Sequence, residues 1–333
     1  MHDCIDVHTH IVPENFPPYA GSGRDVPWPS MAPAHACHRH VMISGKIYRT
    51  VADGSWSVPR RIEDMGAMRI TRQAISPMPE LLSYWLPLAD AQVMCRYLND
   101  QIAAMIGQAP DRFIGLGAVP LQDVDAAIRE LEYCRKLKFA GCEIASHVNG
   151  VSIGDARFEP FFAAAEKMGA AIFVHALRPA GQDRIVGPFI EQAVCFPGDI
   201  GLACASMITG GIGARHPKLR IAFSHGGGVM SILLPRLVHA WNVFPKAKEA
   251  LPESPAVTAK RFYYDQLVFD PSAVRFVMQT FGDTQILIGT DYPFAMGDFH
   301  PMKTLELAQV HGETLVAISS TNAKRYLGID SGL

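Results

Sequence analysis

The sequence lacks several features that would point to particular classes of protein. It has no run of about 18 or more apolar residues, so we expect no membrane-spanning helix. Lys and Arg number 30 against 32 Asp and Glu, a formal net charge of −2, so we expect neither nucleic acid nor an anionic membrane as the main partner. The first residues have neither the basic start nor the apolar stretch of a signal peptide, and we expect none.

The cysteines carry no disulfide or metal-binding pattern. There are 7 of them, an odd number, scattered without C-x-x-C spacing. Such cysteines are typical of buried thiols in a reducing compartment rather than of a disulfide framework. We therefore expect a cytoplasmic protein.

What the chain does have is the composition and periodicity of a globular α/β protein. Hydrophobic residues make up 49% and charged residues 19% of the 333 residues, which is compatible with a packed core. Short apolar runs alternate with amphipathic segments. The eight predicted strands span 5–11, 73–76, 113–119, 140–145, 170–176, 219–225, 262–268 and 285–290. The main predicted helices span 90–107, 123–137, 160–168, 229–243, 272–281 and 313–327.

Eight strands, each followed by a helix, predict an α/β (β/α)8 TIM barrel. A doubly wound open sheet is the alternative, but it needs a glycine-rich turn after the first strand, where this chain has His10-Ile-Val-Pro13. Residues 12–60 are rich in Pro and Gly and do not fit the alternation. A connection of that length is usually functional. We predict one domain over 1–333, with 12–60 as an insertion after the first strand that covers the active site.

Polar residues at the ends of the predicted strands suggest a metal centre. His8 and His10 lie two apart at the end of the first strand, so their side chains point the same way. His175 ends the fifth strand, and Asp291 follows the eighth. Buried without partners, such groups would cost several kcal/mol, a cost that a divalent cation removes. Three imidazoles and one carboxylate suit Zn²⁺ and, less exclusively, Mn²⁺ or Fe²⁺.

The sixth and fourth strands add two further candidates. His225 ends the sixth strand and is a candidate general base or acid. The glycines at 226–228 leave room for a substrate and could offer N–H groups to an anion, but they also fit a simple tight turn. A two-metal site normally needs a bridging Lys or Glu from the fourth strand. No Lys ends that strand, so we expect one metal, with Glu143 in a supporting role.

Taken together, these motifs resemble a known family. They are D-x-H-x-H at 6–10, F-V-H at 173–175, S-H-G-G-G at 224–228 and G-T-D-Y-P at 289–293. In this order and spacing they resemble the amidohydrolase superfamily, and more narrowly its metal-dependent decarboxylases of the 2-amino-3-carboxymuconate-6-semialdehyde decarboxylase type. The resemblance runs nearly end to end and includes R-I-E-D-M at 61–65. It implies a TIM barrel with one zinc per subunit on the four predicted ligands, and catalysis by His225 and Asp291.

The resemblance also implies which residues bind the substrate. Lys46 and Arg49 from the insertion and Phe294 after the D-Y-P motif would line the pocket. Arg236 would reach the partner's active site, which implies a homodimer. Arginine suits a carboxylate because its planar fork can bind both oxygens. The family's H-P-W-D is here His175-Ala-Leu-Arg178, so a tryptophan is lost and a cation is gained. We expect Arg178 to bind an acidic group.

The predicted reaction is non-oxidative decarboxylation of a small unsaturated or aromatic carboxylic acid similar to aminocarboxymuconate semialdehyde. The metal would lower the pKa of its bound water towards about 7, and His225 would take a proton from that water or return one to the substrate. No organic cofactor is needed. Hydrolysis of an amide, lactone or ester and hydration of an aromatic-degradation intermediate are alternatives, because the fold does not decide between them. A non-catalytic scaffold is a further alternative, against which the full ligand set argues.

Overall fold

The computed structural model describes residues 3–188 and 191–329 and has a parallel β-barrel at its centre. All strands are numbered in chain order, and those of the barrel are β1 (Ile5–Ile11), β5 (Arg72–Pro77), β6 (Phe113–Ala118), β7 (Gly141–Ala145), β10 (Ala171–His175), β11 (Arg220–Phe223), β12 (Tyr263–Asp265) and β13 (Ile286–Leu287). Each pairs in parallel with the next. The Val7 N–H donates to the Ile288 carbonyl at 2.9 Å and closes the ring. The predicted (β/α)8 barrel is confirmed.

Helices fill the connections between the strands. Their bounds are α1 (Val58–Met68), α2 (Leu88–Gln108), α3 (Val124–Lys136), α4 (Glu159–Met168), α5 (Phe196–Thr209), α6 (Ile212–Arg215), α7 (Met230–Val243), α8 (Pro245–Ala250), α9 (Pro255–Ala259), α10 (Pro271–Phe281), α11 (Pro301–Leu307), α12 (Gly312–Val316) and α13 (Asn322–Leu327). The six predicted helices correspond to α2, α3, α4, α7, α10 and the segment from α12 to α13. A π-helical turn, Ala317–Thr321, interrupts that last segment. The sequence pattern does not predict α1 or α5. No helix in the described ranges is both long and apolar enough to cross a membrane.

Two small sheets lie outside the barrel. Between β1 and α1, three antiparallel strands pair in the order β2 (Pro29–Pro33), β3 (His38–Ile43) and β4 (Lys46–Ala52). After β7 comes a short hairpin of β8 (His147–Val148) and β9 (Val151–Ser152). Past β4 the chain packs tightly on the barrel, because a Cβ at Gly54 would lie 2.1 Å from the Tyr292 hydroxyl. The end of this segment is therefore anchored to the loop after β13.

A bulge in β1 aims neighbouring residues into the barrel. Between Asp6 and Thr9 the register with β5 shifts by one residue. Val7 therefore packs in the apolar cluster inside the barrel, while His8 lies 4.9 Å from the ring of Phe173 in that same cluster. Strict alternation along a strand would put only one of these neighbours inside.

The barrel interior is apolar at its amino end. Its residues are Ile5, Val7, Ala74, Leu116, Ala140, Ala171, Phe173, Ala222, Tyr263 and Leu287, covered from below by Ala323, Tyr326 and Leu327 of α13. A second, larger cluster lies between the strands and the outer helices. The cysteines are mostly part of this packing, but Cys37 is exposed in the segment between β1 and α1. The expectation of buried thiols is therefore wrong for Cys37.

Three strands end two or three residues earlier than predicted at the carboxyl end of the barrel. β11, β12 and β13 end at Phe223, Asp265 and Leu287, whereas the predicted strands ran to 225, 268 and 290. The chain turns sharply just beyond β11 and β13, with φ of 54° at His225 and 60° at Asp291. The polar residues predicted at these strand ends therefore lie in turns above the barrel rather than in its ladder.

Candidate metal centre

Four buried side chains meet at the carboxyl end of the barrel. His8, His10, His175 and Asp291 each offer one ligand atom, and these atoms lie within 4.8 Å of one another. The two histidines of β1 come from the bulged strand, His175 ends β10, and Asp291 lies in the turn after β13. The structure thus brings together the four residues that the sequence predicts as metal ligands.

Each of the three imidazoles forms a hydrogen bond with one ring nitrogen, Nδ1, and directs the other, Nε2, towards the centre. The Nδ1 atoms contact oxygen acceptors, so they carry the proton and leave the lone pair on Nε2. The contacts are His8 to Asp265 Oδ2 at 2.7 Å, His10 to the Pro77 carbonyl at 3.1 Å and His175 to the Ala176 carbonyl at 2.8 Å.

The opposite atoms are buried and unsatisfied, which tests whether a cation fits. The Nε2 atoms of all three histidines and Oδ1 of Asp291 have no hydrogen-bond partner within the described ranges. Asp291 Oδ1 lies 3.1 Å from His10 Nε2 and 3.4 Å from His8 Nε2, without hydrogen-bonding geometry. Leaving a buried polar atom unpaired costs about 1–3 kcal/mol. One divalent cation would pair with all four atoms, and three nitrogens with one oxygen form a donor set that such ions accept.

In the absence of a cation, the buried groups of the centre shift one another's pKa values. Burial lowers the pKa of His8, but the nearby Asp265 and Asp291 carboxylates, which favour its charged form, outweigh burial and raise this pKa to about 10. Burial raises the pKa of Asp291, but His10 and His8 hold it well below its ordinary value. Burial and the neighbouring histidines lower the pKa of His175, so it is a neutral ligand. A cation at His8 Nε2 would take the place of a proton on that atom, while Nδ1 keeps its hydrogen bond to Asp265.

His225 lies beside the four ligands. Its ring centroid is 5.3 Å from that of His8 and 5.0 Å from that of His175. Its Nδ1 is 3.0 Å from the Ser224 hydroxyl. Burial, together with the charge of His8, lowers the pKa of His225 to about 4. His225 is therefore neutral at pH 7 and able to accept a proton.

The glycines after His225 form a tight turn. The Gly226 N–H donates to Asp265 Oδ1 at 2.8 Å, and the N–H groups of Gly227 and Gly228 donate to the carbonyls of Ser224 and His225 at 3.0 and 2.8 Å. All three N–H groups are thus used within the fold. The structure supports the turn and not the predicted anion contact.

Two buried carboxylates lie next to the Nδ1 atoms of His8 and His10. Asp265, at the end of β12, joins His8 to the turn that carries His225 and is not predicted from the sequence. A carboxylate in the middle of the predicted seventh strand, 262–268, was the available signal. Glu143 accepts a hydrogen bond from Ser76, and its Oε2 lies 3.6 Å from His10 Nδ1. Burial raises the pKa of Glu143 to about 7, against the effect of His10.

Aromatic rings wall the centre and connect it to Arg49. The ring of Phe294 stacks on His10, with centroids 5.2 Å apart and an interplanar angle of 24°. The guanidinium of Arg49 lies 4.5 Å from the Phe294 centroid. Phe196, which the sequence does not single out, has its ring 5.9 Å from that of His175. Of the predicted substrate residues, Phe294 therefore stacks directly on a ligand, and Arg49 is connected to the centre through Phe294.

The other predicted substrate residues lie further out. Arg178 stacks on Trp85, its Cζ 3.3 Å from the ring centroid. Lys46 is exposed at the start of β4, and Arg236 is exposed on α7. Neither has a hydrogen bond, ion pair or ring contact with the four ligands among the residues that the structure describes. Glu80 accepts a hydrogen bond from Tyr48 and lies 3.7 Å from Arg49 Nη2.

Comparisons with known proteins agree with this geometry. Residues 5–329 match a family model described as "Amidohydrolase". The chain is 34% identical, over 98% of its length and 92% of the relative, to a 2-amino-3-carboxymuconate-6-semialdehyde decarboxylase of Dictyostelium discoideum. Its fold is similar to that of Metarhizium anisopliae IDCase in apo form, with a TM-score of 0.83 and 20% identity over 99% of this chain and 98% of the other. A 5-carboxyvanillate decarboxylase of Novosphingobium aromaticivorans, complexed with manganese and 4-hydroxy-3-methoxy-5-nitrobenzoic acid, matches with a TM-score of 0.71 and 25% identity over 81% of this chain and 79% of the other.

Proposed function

This chain belongs to the amidohydrolase family, and on that premise we propose that it is a metal-dependent carboxy-lyase. Its substrate is a small unsaturated or aromatic carboxylic acid similar to aminocarboxymuconate semialdehyde, and the reaction releases CO₂ without oxidation. The single observation that carries the proposal is the set of four buried, unpaired ligand atoms at the carboxyl end of the barrel. In TIM barrels, this is the end at which active sites are built. The decarboxylases among its relatives favour this reaction over hydrolysis or hydration.

One Zn²⁺ per subunit is the proposed cofactor, with Mn²⁺ or Fe²⁺ as alternatives that the same donor set would accept. His8, His10, His175 and Asp291 would hold it. When bound, the ion supplies a Lewis acid and lowers the pKa of a coordinated water towards about 7. Asp265 keeps His8 oriented, since it accepts the hydrogen bond from His8 Nδ1.

His225 is the proposed proton carrier. Its Nδ1 faces Ser224, so His225 would take a proton from water at Nε2 and deliver it from the same atom. Transfer of that proton to the carbon that bears the carboxylate makes this carbon tetrahedral. The C–CO₂ bond then breaks, its electron pair returns to the conjugated system, and CO₂ leaves. Proton transfer by a positioned side chain contributes about 10²–10⁴-fold to such reactions.

The cationic side chains give the site its preference for acids. We assign Arg49 to the substrate carboxylate, because its guanidinium lies over the ring of Phe294, which stacks on the ligand His10. Lys46 adds a second positive charge from the same strand. Arg178, on the ring of Trp85, is assigned to a further acidic group of the substrate. Orientation of the substrate by such contacts can lower the activation barrier of the reaction. The upper limit of this effect is about 7–11 kcal/mol.

The chain is proposed to act as one domain over 1–333, with the insertion 12–60 over the active site and a homodimer as the active form. Support for the insertion is the position of Arg49 on β4 and the packing of Gly54 against Tyr292.

Support for the dimer is the face of α7, where Arg236 has the exposed apolar residues Ile232 and Leu233 nearby in sequence. Arg236 would serve the partner's site. A cytoplasmic location accords with the free cysteines.

A direct assay for CO₂ tests the reaction class. The metal-free protein, reloaded with Zn²⁺ or Mn²⁺, is given 2-amino-3-carboxymuconate 6-semialdehyde and, separately, 2,6-dihydroxybenzoate. We expect CO₂ release that depends on the metal. Hydrolysis of a lactone or ester by the loaded protein, without CO₂ release from any acid, would overturn the proposal in favour of a hydrolase. Protein that binds no divalent ion would favour the scaffold.

Two measurements test the outer residues. If Arg178 binds an acidic group, Arg178→Ala raises KM for the substrate, and an unchanged KM removes that role. If Arg236 serves the partner's site, sedimentation shows a dimer and Arg236→Ala raises KM without loss of the dimer. A fully active monomer would overturn the role of Arg236.

A further inference from the structure

One motif from the sequence remains without a role in the proposed reaction. Residues 61–65, R-I-E-D-M, lie on α1, the helix that the sequence does not predict. Its first residue, Arg61, is an arginine with 0% exposure to solvent. Burying a charge is costly unless every partner is in place, so the contacts of Arg61 show what this helix holds.

The guanidinium of Arg61 bonds to three different segments of the chain. It donates from Nε to the Gly54 carbonyl at 3.1 Å, from Nη1 to Thr9 Oγ1 and Gln73 Oε1 at 3.2 Å each, and from Nη2 to the His10 carbonyl. These acceptors belong to β1, to β5 and to the end of the segment between β1 and α1. A planar group with five donors can satisfy all of them, whereas a lysine ammonium offers one compact charge.

The bond to the His10 carbonyl fixes the backbone of a metal ligand. On the other side of this residue, the His10 N–H donates to the Tyr292 carbonyl at 2.7 Å. Both backbone polar groups of His10 are therefore tied, one to Arg61 and one to the residue that follows Asp291. Any shift of either partner moves the imidazole relative to the carboxylate.

The same helix also holds the ring of Tyr292. Arg61 Cζ lies 4.8 Å from the ring centroid, and the Tyr292 hydroxyl donates to Asp64 Oδ2 at 2.8 Å. Gly54 leaves room for that hydroxyl. Arg61 and Asp64 of one helix thus both contact Tyr292. Tyr292 directly follows the ligand Asp291 in the chain.

We propose that Arg61 is a positioning residue of the metal centre, which sets metal affinity by fixing His10 and the Asp291–Tyr292 segment without touching the ion. The inference rests on the proposed metal centre, but not on the reaction or the substrate. Loss of groups that orient metal ligands typically weakens metal binding by about 10–100-fold, and we assign Arg61 to this class. Its effect differs from that of a purely structural residue, which lowers stability and leaves the affinity of the folded protein unchanged.

The chain offers a matched control on α2. Arg96 lies over the ring of Tyr133, with Cζ 3.6 Å from the centroid, and the Tyr133 hydroxyl donates to Asp100 at 2.7 Å. Arg96 also pairs with Glu130. This is the same combination of arginine, tyrosine and aspartate, but it joins α2 to α3 and contacts no metal ligand among the described residues. Because Arg96 is half-exposed, Leu116→Ala in the buried barrel interior serves as a second control for lost stability alone.

The test measures the Zn²⁺ dissociation constant of the folded protein by competition with a chelator, and the absorption spectrum of the Co²⁺-loaded protein. We expect Arg61→Lys to weaken Zn²⁺ binding by about 10–100-fold and to change the Co²⁺ spectrum. Tyr292→Phe, which removes only the bond to Asp64, should weaken it by about threefold. Arg96→Lys and Leu116→Ala should leave both readouts at wild-type values.

Three results would overturn the inference. The first is an Arg61→Lys protein with wild-type Zn²⁺ affinity and Co²⁺ spectrum, and the second is an equal loss of affinity in either control. If Arg61→Lys does not fold, the Tyr292→Phe protein serves as the test. The third result that would overturn the inference is wild-type Zn²⁺ affinity and a wild-type Co²⁺ spectrum for Tyr292→Phe. Wild-type protein that binds neither Zn²⁺ nor Co²⁺ overturns the metal centre itself, which distinguishes that failure from a failure of the role of Arg61.

Discussion

The two ends of the barrel differ in how their side chains are satisfied. At the amino end, apolar residues such as Leu116 and Phe173 fill the interior, and α13 covers them. At the carboxyl end, three imidazoles and a carboxylate lie buried, with one unpaired atom each. The boundary is the contact between Phe173 and His8, whose rings are 4.9 Å apart.

This difference separates the sources of stability and of function along a single axis. Burial of apolar surface at the amino end stabilises the fold, at about 25 cal/mol per Å². The unpaired atoms at the carboxyl end destabilise the metal-free protein, because each costs about 1–3 kcal/mol. Substitutions at the two ends should therefore have opposite consequences, with loss of activity at one and loss of stability at the other.

The largest effect is expected from removing a ligand. His175→Ala should lower CO₂ release by about 10³-fold or more, because the Lewis acid is worth several kcal/mol to the reaction. Zn²⁺ at about 1,000 times its dissociation constant should stabilise the wild type by about 4 kcal/mol, and this gain should vanish in the variant. Urea unfolding with and without Zn²⁺ measures it. The control is His311→Ala, at an exposed histidine outside the centre; a normal Zn²⁺ gain in His175→Ala would contradict the ligand assignment.

A slightly smaller effect is expected from His225, which lies at the same end but is not a ligand. His225→Gln should lower kcat by about 10²–10⁴-fold, because no group then moves the proton. Its Zn²⁺ content should equal that of the wild type, as measured by elemental analysis. Loss of the metal would instead make His225 a fifth ligand.

The amino end should show the opposite pattern. Leu116→Ala leaves a cavity in the apolar interior and should lower the free energy of unfolding by about 3 kcal/mol. The kcat of the folded protein at 25 °C should not change. Denaturant unfolding combined with the CO₂ assay checks both quantities. A marked fall in kcat would mean that the two ends are mechanically coupled rather than separate.

The sequence predicts the carboxyl end well where local periodicity determines it. His8 and His10 lie two positions apart on one strand, and His175 and Asp291 follow apolar runs, so their convergence follows from the barrel itself. The bulge in β1 is not visible in the sequence, because it is a property of the pairing with β5. It leaves the two histidines on one side while admitting Val7 to the interior.

What the sequence does not predict depends on contacts between distant residues. Asp265 bonds to His8 across 257 positions of the chain, and no local pattern records such a pair. Arg61 lies in a highly charged stretch and would be expected on a solvated face, yet it is fully buried against His10 and Tyr292. Phe196 begins α5, which the sequence does not predict, and reaches His175 only through the tertiary fold. Propensity is a weak guide where tertiary contacts decide.

The smallest effect is expected at the outer rim of the amino end. Asp3 pairs there with Arg72 and with Lys324 at 2.9 Å. Burial raises the pKa of Asp3, but Arg72, Lys324 and Thr71 hold it well below its ordinary value. Because the folded pKa lies below the unfolded one, the carboxylate contributes stability above the unfolded pKa of about 3.9. That contribution is lost as the pH falls through the folded pKa.

Asp3→Asn should therefore lower the free energy of unfolding by about 1 kcal/mol at pH 7, since the pairs are partly solvated. The difference from the wild type should stay constant down to about pH 5 and shrink at about pH 3, where the unfolded carboxyl takes up its proton. Urea unfolding of both metal-free proteins at these three values measures it, and CO₂ release at pH 7 should be that of the wild type. A cost that does not change with pH would show that Asp3 acts through packing rather than charge. A loss of activity would show that the rim of the amino end communicates with the metal centre, against the separation of the two ends.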